Sequence, residues 1–199
     1  MQVILVLMKK ILVVDGHPYP QSYVSALCDA YVEGARSSGY EVQRTTIRDL
    51  KFDPNLAAGY RKIQDLEPDL VEAQRLVTWC DHLVFAYPIW WGSMPAITKG
   101  YFDRSWLPGF AFKYHPADPF WDKLLKGRSA RIVTTSDAPT IYNVLAYFNS
   151  PYLVVKKMIF GFCGFKPIGT TKIGGVKSMS EEKKNRILKR LRELGAQGR

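Results

Sequence analysis

The sequence predicts an α/β fold, a doubly wound five-stranded parallel sheet with helices on both faces. Two observations carry that expectation. Strand-length apolar runs alternate along the chain with longer helical patterns, which implies parallel strands joined by crossover helices. No repeat, low-complexity stretch or dividing linker interrupts the alternation, so residues 1–199 read as one domain.

The elements follow in order. The first strand is Lys10–Val14. A helix runs from about Ser22 to Ser38 and stops at Gly39. Glu41–Ile47 alternates and reads as the second strand, and Arg48–Asp65 is irregular. Pro68–Cys80 is helical, with Leu70, Val71, Ala73, Leu76 and Val77 as its apolar stripe. Leu83–Tyr87 is the third strand, stopped by Pro88. Ser93 is placed to cap a third helix, Met94–Ser105, with Pro95 in its first turn. Leu107–Lys126 is aromatic, proline-bearing and without a clear period, as functional loops often are. Ala130–Ser136 is the fourth strand, Ser150–Phe162 includes a helix, and Lys166–Ile173 is the fifth strand. Ser178-Met179-Ser180-Glu181 fits a capping box for a last helix ending near Gly195. The expected strand order is 2-1-3-4-5, with ligands bound outside the carboxyl ends of the strands, where the order reverses.

Composition bounds the function. Hydrophobic residues make up 47% and aromatics 13%, enough for a core and too apolar for disorder. Cys28, Cys80 and Cys163 follow no metal-ligand spacing and read as free thiols of a reducing cytoplasm, and the three histidines are too scattered for a metal site. The opening MQVILVLMKK is apolar but short, with its lysines after the apolar run, unlike a signal peptide or a membrane span. A start at Met8 would make residues 1–7 an extension. The net charge of +10 is concentrated late: residues 151–199 hold 12 Lys/Arg against 3 Asp/Glu. The basic C-terminal helix, 178–199, is either a solvated face or a contact for an acidic partner, an anionic surface or a phosphorylated cosubstrate. No nucleic-acid-binding motif accompanies the charge.

Three loops at the carboxyl ends of strands carry the chemistry. The first, Gly16–Tyr23, leads from a strand into a helix amino terminus, where open N–H groups and the helix dipole make a natural phosphate site. His17, Gln21 and Ser22 add side-chain donors. It is neither the dinucleotide-binding glycine fingerprint nor a Walker loop. The second, Pro88-Ile89-Trp90-Trp91-Gly92-Ser93, sets two indoles at a strand end. A strand-to-helix connection needs no tandem tryptophans, whereas a loop against a planar aromatic cofactor does; an aromatic plug over the sheet edge is the plain alternative. The third is Thr134-Thr135-Ser136-Asp137.

The segment YPIWWGSMPAITKGYFDR closely resembles the flavin loop of the NAD(P)H:quinone oxidoreductases with a flavodoxin-like fold. That family includes the mammalian quinone reductases and the flavoprotein ancillary subunits of bacterial potassium-efflux systems. The resemblance runs from KILVVDGHP at Lys10 to about Gly174, and includes PGFAFKY at Pro108 and FCGF at Phe162. It implies that His17, Ser22 and Tyr23 contact the phosphate or ribityl chain of the flavin. It also implies that Ile89, Trp90, Trp91 and Gly92 lie beside the ring, with backbone N–H groups donating to it. Tyr142 matches a tyrosine at the flavin O2/N1 edge. Phe148 stands at the spacing of that tyrosine's histidine partner, so a tyrosine–histidine relay is not expected. Ser136-Asp137 replaces a pair of glycines, and Val24 replaces an asparagine found in some relatives, which favours FMN over FAD. Phe112 and Tyr114 are implied to cross a homodimer interface and cover the partner's flavin. The implied activity is two-electron, ping-pong hydride transfer from NAD(P)H through flavin to a quinone-like acceptor. Two alternatives remain at this point: a regulatory flavoprotein subunit on a membrane potassium transporter, for which His17-Pro18-Tyr19-Pro20 speaks, and a one-electron carrier, against which the basic charge speaks.

Overall fold

Alternation within the central strands decides which layer each side chain joins. In β1 (Lys10–Asp15), Ile11 and Val13 face one layer and Leu12 and Val14 the other. In β3 (His82–Pro88), Val84 and Ala86 join the first set, and Leu83, Phe85 and Tyr87 the second. Every β3 residue is buried, as a strand sheathed on both faces must be. The computed structural model describes residues 8–199, so the reading of residues 1–7 as an extension lies outside the described residues.

The sheet is five-stranded and wholly parallel, in the order β2 (Glu41–Thr46), β1, β3, β6 (Ser129–Ser136), β7 (Ile168–Gly174). This is the doubly wound order expected from the sequence. Helix α1 (Tyr23–Ser37) and the last helix, α6 (Glu181–Ala196), cover one face. They approach closely because Gly34 and Gly195 lie between them: a Cβ on either would overlap the backbone carbonyl of Arg192 or Tyr31. Helices α2 (Pro68–Trp79) and α3 (Ala96–Ser105) cover the other face, with a wide-turn helical segment at Val154–Gly161.

Several local expectations are corrected. Val71 is 53% exposed, so the α2 stripe is narrower than the pattern suggested. Strand β3 runs through Pro88 rather than stopping before it. Ser93 does not cap α3: Pro95 is the residue before the helix, and Ser93 is held in a tight turn with Trp90. The last helix is capped by Ser180, which accepts from the Lys183 N–H at 3.3 Å; Ser178 ends a short helical turn before it. The aperiodic Leu107–Lys126 stretch contains an antiparallel ribbon, β4 (Phe112–Tyr114) with β5 (Trp121–Lys123). Two short helices that the sequence did not separate, α4 (Thr140–Leu145) and α5 (Ser150–Leu153), follow β6.

Among the described residues no helix is long and apolar enough to cross a membrane, and no cluster of three or more His, Cys, Asp or Glu side chains could hold a metal ion. All three cysteines are buried, and burial pushes the Cys80 and Cys163 thiols up to about 12, leaving them inert.

Candidate functional site

The carboxyl ends of β1, β3 and β6 surround a cavity of about 290 Å³. Of the residues singled out in the sequence, His17, Ser22, Tyr23, Pro88, Ile89, Trp90, Thr135, Ser136 and Asp137 line it. One side is the amino terminus of α1. Ser22 caps that helix, its Oγ accepting from the Ser25 N–H at 3.1 Å, and the remaining first-turn amides are open to a ligand. The Tyr23 hydroxyl donates to the Lys184 carbonyl at 3.0 Å, tying α6 to the cavity's edge; burial and the Glu181 charge push it up to about 12, so it stays a neutral donor.

His17 presents a defined tautomer. Its Nδ1 accepts the Tyr19 N–H at 3.0 Å, which leaves the proton on Nε2 as a donor. Burial and the nearby Arg48 charge hold its pKa below the ordinary histidine value, against the pull of Asp15. The Trp90 indole meets the His17 ring edge-on at 5.9 Å, joining the first loop to the second. The second loop joins the third through the Ile89 N–H, which donates to the Thr135 carbonyl at 2.8 Å.

The aromatic loop itself is a tight turn. Trp90 and Ser93 exchange backbone hydrogen bonds of 3.0 and 2.9 Å, and the central pair has positive φ, 50° at Trp91 and 71° at Gly92. Positive φ at both central positions is the signature of a type I′ turn. This corrects the expectation that the whole loop offers its N–H groups to a ligand. The Ile89, Trp90 and Ser93 amides are consumed within the protein, and those of Trp91 and Gly92 remain.

Other expected residues stand elsewhere. The turn swings Trp91 fully into solvent, and neither it nor Gly92 lines the cavity. Gln21 is exposed, its Oε1 accepting from the Tyr19 hydroxyl. Thr134 is buried one residue back along β6, its hydroxyl without a partner among the described residues. Tyr142 lies on α4, half-exposed, its ring edge-on to Tyr147 at 5.4 Å. Phe148 is 81% exposed at φ 48°. Phe112 is a core residue of its own chain, packed against Phe162 at 5.0 Å and only 7% exposed, so of the expected interface pair only Tyr114 is presented outward. The two residues are i and i+2 on one strand and share a face, their rings 5.1 Å apart; Phe112, nearer the core, is covered by Phe162, while Tyr114 lies further along the ribbon and is left exposed.

Tyr19, Val24 and Val176 also line the cavity. Tyr19 and Val24 sit within or beside the loop flagged by sequence and were passed over as site residues. Val176 follows β7, and the signal for it was the Gly174-Gly175 turn, with φ 73° at Gly175.

The lining includes no lysine or arginine, and one carboxylate, Asp137. Neutral donors at a helix amino terminus on one side and an indole beside a strand end on the other suit a ligand with an anionic tail and a planar aromatic head. A flavin mononucleotide has that form, and the donor set fits it.

The chain belongs to the family described as having a flavodoxin-like fold, whose model matches residues 9–197. Over 186 residues it is 26% identical to NAD(P)H dehydrogenase [quinone] 1 of Cavia porcellus, covering 80% of this chain and 66% of that protein. The chain therefore spans just under two thirds of that relative's length. It is 29% identical to the ribosyldihydronicotinamide dehydrogenase [quinone] of Mus musculus, over 90% of this chain and 87% of that one. Among solved structures, Smu.1420 from Streptococcus mutans UA159 superposes with a TM-score of 0.79 at 28% identity, covering 94% of this chain and 99% of that one. The NAD(P)H:quinone oxidoreductase of Methanothermobacter marburgensis superposes at 0.77 with 20% identity, covering 96% of this chain and 100% of that one, a likeness of fold alone.

Proposed function

We propose that this protein is a flavin-dependent NAD(P)H:quinone oxidoreductase. The observation that carries the reading is the cavity at the strand ends, which pairs a capped helix amino terminus with an indole-bearing turn. The names of the relatives point the same way. The cofactor is FMN: the cavity offers one helix terminus for one phosphate, and Val24 adds no polar group for a second.

The flavin, when bound, supplies the chemistry, taking hydride from NAD(P)H and returning it to a quinone-like acceptor in the same place. The protein's part is to bind and orient. The first-turn amides of α1 and His17 Nε2–H would hold the phosphate, beside Ser22, whose own hydroxyl proton goes to Ser25 Oγ. Trp90 would pack beside the ring, and the Trp91 and Gly92 N–H groups, unused within the turn though outside the cavity lining, would donate to the part of the ring that extends beyond it. The bond from Ile89 to Thr135 keeps two walls at a fixed spacing, so that reactants meet in one geometry. Tyr142, half-exposed on α4 and outside the cavity lining, would supply a proton to the bound flavin through its hydroxyl. No protein nucleophile or metal is needed for this chemistry.

The active form is a homodimer in the cytoplasm. Tyr114 and Phe120 on the ribbon, and Ile141, Leu145, Phe148 and Met158 beyond β6, expose large apolar side chains. Exposed apolar surface on this scale suits a second copy, whose Tyr114 would then cover the site. The transporter-subunit reading has no structural observation in its favour.

The test is spectroscopic. Purified protein, reconstituted with FMN and treated anaerobically with NADH or NADPH, is expected to lose its flavin absorbance within seconds and regain it on adding a quinone. Failure to bind either flavin refutes the reading. Bound flavin that neither nucleotide reduces refutes the activity while leaving the site. Sedimentation at micromolar concentration is expected to give twice the monomer mass.

A further inference from the structure

We infer that Asp15 and Arg48 are positioning residues for the phosphate end of the cavity, a buried ion pair that fixes the first loop as an anion receptor before ligand arrives. The inference rests on the flavin reading and deepens it.

The need for such a device follows from the lining. With no lysine or arginine in the cavity, a phosphate would be held by neutral donors, and these bind strongly only when already aimed. Yet residues 16–22 form no regular element that would aim them.

The aiming comes from beneath. Asp15 ends β1 and is wholly buried. Its Oδ1 accepts the His17 N–H at 3.0 Å. Its Oδ2 accepts from Ser25 Oγ at 2.7 Å, Arg44 Nη2 at 3.0 Å and Arg48 Nη1 at 3.2 Å. Arg48 Nη1 also donates to the His17 carbonyl at 2.9 Å. One ion pair thus grips His17 at both its amide and its carbonyl. It reaches the other side of the receptor too, because Ser25 Oγ lies 3.0 Å from the Ser22 hydroxyl that caps α1. Between them, Gly16 is clamped by Thr98 Oγ1, which donates to its carbonyl at 2.6 Å. A Cβ on Gly16 would come within 3.0–3.2 Å of Thr98, Ala86 and Tyr87, so the loop fits closely against β3 and α3.

Arg44 is shared with Asp29, a surface carboxylate. Arg48 turns its Nη1 to the loop, while its Nε lies 3.9 Å from the exposed Asp49 carboxylate and makes no hydrogen bond. Keeping a buried donor unsatisfied is costly, and the guanidinium holds this pose because Asp15 and His17 claim its other end.

The experiment compares FMN with riboflavin, which lacks only the phosphate. Full-length apoprotein is titrated with each by fluorescence, as wild type, Asp15→Asn, Arg48→Met and Ser25→Ala. The ratio of the two dissociation constants isolates the phosphate's contribution, and general damage to the fold leaves that ratio unmoved. Asp15→Asn and Arg48→Met are each expected to lower the preference for FMN about tenfold or more, the loss of one well-aimed hydrogen bond to a charged group. Ser25→Ala, which breaks only the link to Ser22, is expected to shift it in the same direction by less. The sign for Asp15→Asn is decisive. A purely electrostatic role predicts tighter FMN binding once the negative charge is removed, and that result, or an unchanged ratio in all three variants, overturns the inference. Wild type that binds both flavins equally overturns it while sparing the function; wild type that binds neither overturns the function first.

Discussion

The two loops that flank the candidate site are held by opposite means. The first, residues 16–22, rests on a wholly buried carboxylate with four hydrogen-bonding partners. The second, residues 89–93, is a turn closed by two hydrogen bonds, with a tryptophan at positive φ and its indole in solvent. One loop gains stability from its tertiary contacts. The other carries conformational strain and leaves a large apolar side chain uncovered. The difference suggests that the first loop is preformed, whereas the second completes its contacts only when something lies against it. Strain and exposed aromatics of this kind collect where function needs them.

The contrast is broken most forcefully at Asp15. Asp15→Ala leaves two largely buried guanidinium groups facing an apolar methyl, and removing one partner of a buried pair typically costs about 3–5 kcal/mol. Denaturant unfolding of the apoprotein is expected to show a midpoint reduced accordingly, with an unchanged slope. A loss below about 1 kcal/mol would place the pair among solvated ion pairs and remove the contrast.

The second effect sharpens the comparison by pH. Burial opposes ionisation of Asp15, but hydrogen bonds from Ser25, His17 and Arg44 and the Arg48 charge outweigh it and hold the carboxyl below its ordinary value. Its contribution is present above the unfolded carboxylate pKa and is lost only as the pH falls below that into the folded pKa. His82, at the amino end of β3, behaves differently. It is 3% exposed, its Nδ1 lies 2.7 Å from Ser129 Oγ, and burial with the Lys9 and Arg131 charges drives it down to about 3. The unfolded chain binds a proton there near pH 6.5 and the folded chain does not, so stability falls as the pH drops below that value. By pH 5 the loss reaches about 2 kcal/mol. Between pH 7.5 and 5, His82→Phe is expected to flatten the decline of the unfolding midpoint, whatever its effect on the midpoint itself.

How far the sequence reveals these features depends on their range. The strands and both helical layers were legible because period-2 and period-3.6 patterns are local, and the strand order followed from their alternation as a doubly wound fold. So was the grouping of His17, Ser22 and Tyr23 on one cavity wall, since they belong to one strand–loop–helix unit. Asp15 and Arg48 were not legible as partners: they are 33 residues apart, and their pairing exists only because β2 lies beside β1. Phe112 and Tyr114 looked alike in an aperiodic stretch and share one face of the ribbon; only tertiary packing on Phe162, 50 residues on from Phe112, separates the buried one from the exposed one. The Ser93 cap failed for a related reason. A serine before a proline-initiated helix is a fair local signal, but here the I′ turn claims its backbone first.

The smallest effect has the opposite sign and tests the second loop directly. A type I′ turn favours asparagine followed by glycine, because asparagine tolerates positive φ where a bulky residue does not. Gly92 already occupies the second position, so Trp91→Asn gives this turn its preferred pair. Relief of the strain at φ 50° is expected to stabilise the apoprotein by about 1 kcal/mol. Because the indole is fully exposed, little burial is lost in exchange. Trp90 keeps its place in the cavity wall, so a weaker flavin affinity or a slower reduction by nicotinamide in this variant assigns the Trp91 indole, which stands outside the lining, a contact with the ligand. A variant that is more stable yet functionally poorer would show that the tryptophan is kept against the preference of its own backbone. A variant that is less stable would mean that the indole has a structural contact, and the two loops would then differ in degree rather than in kind.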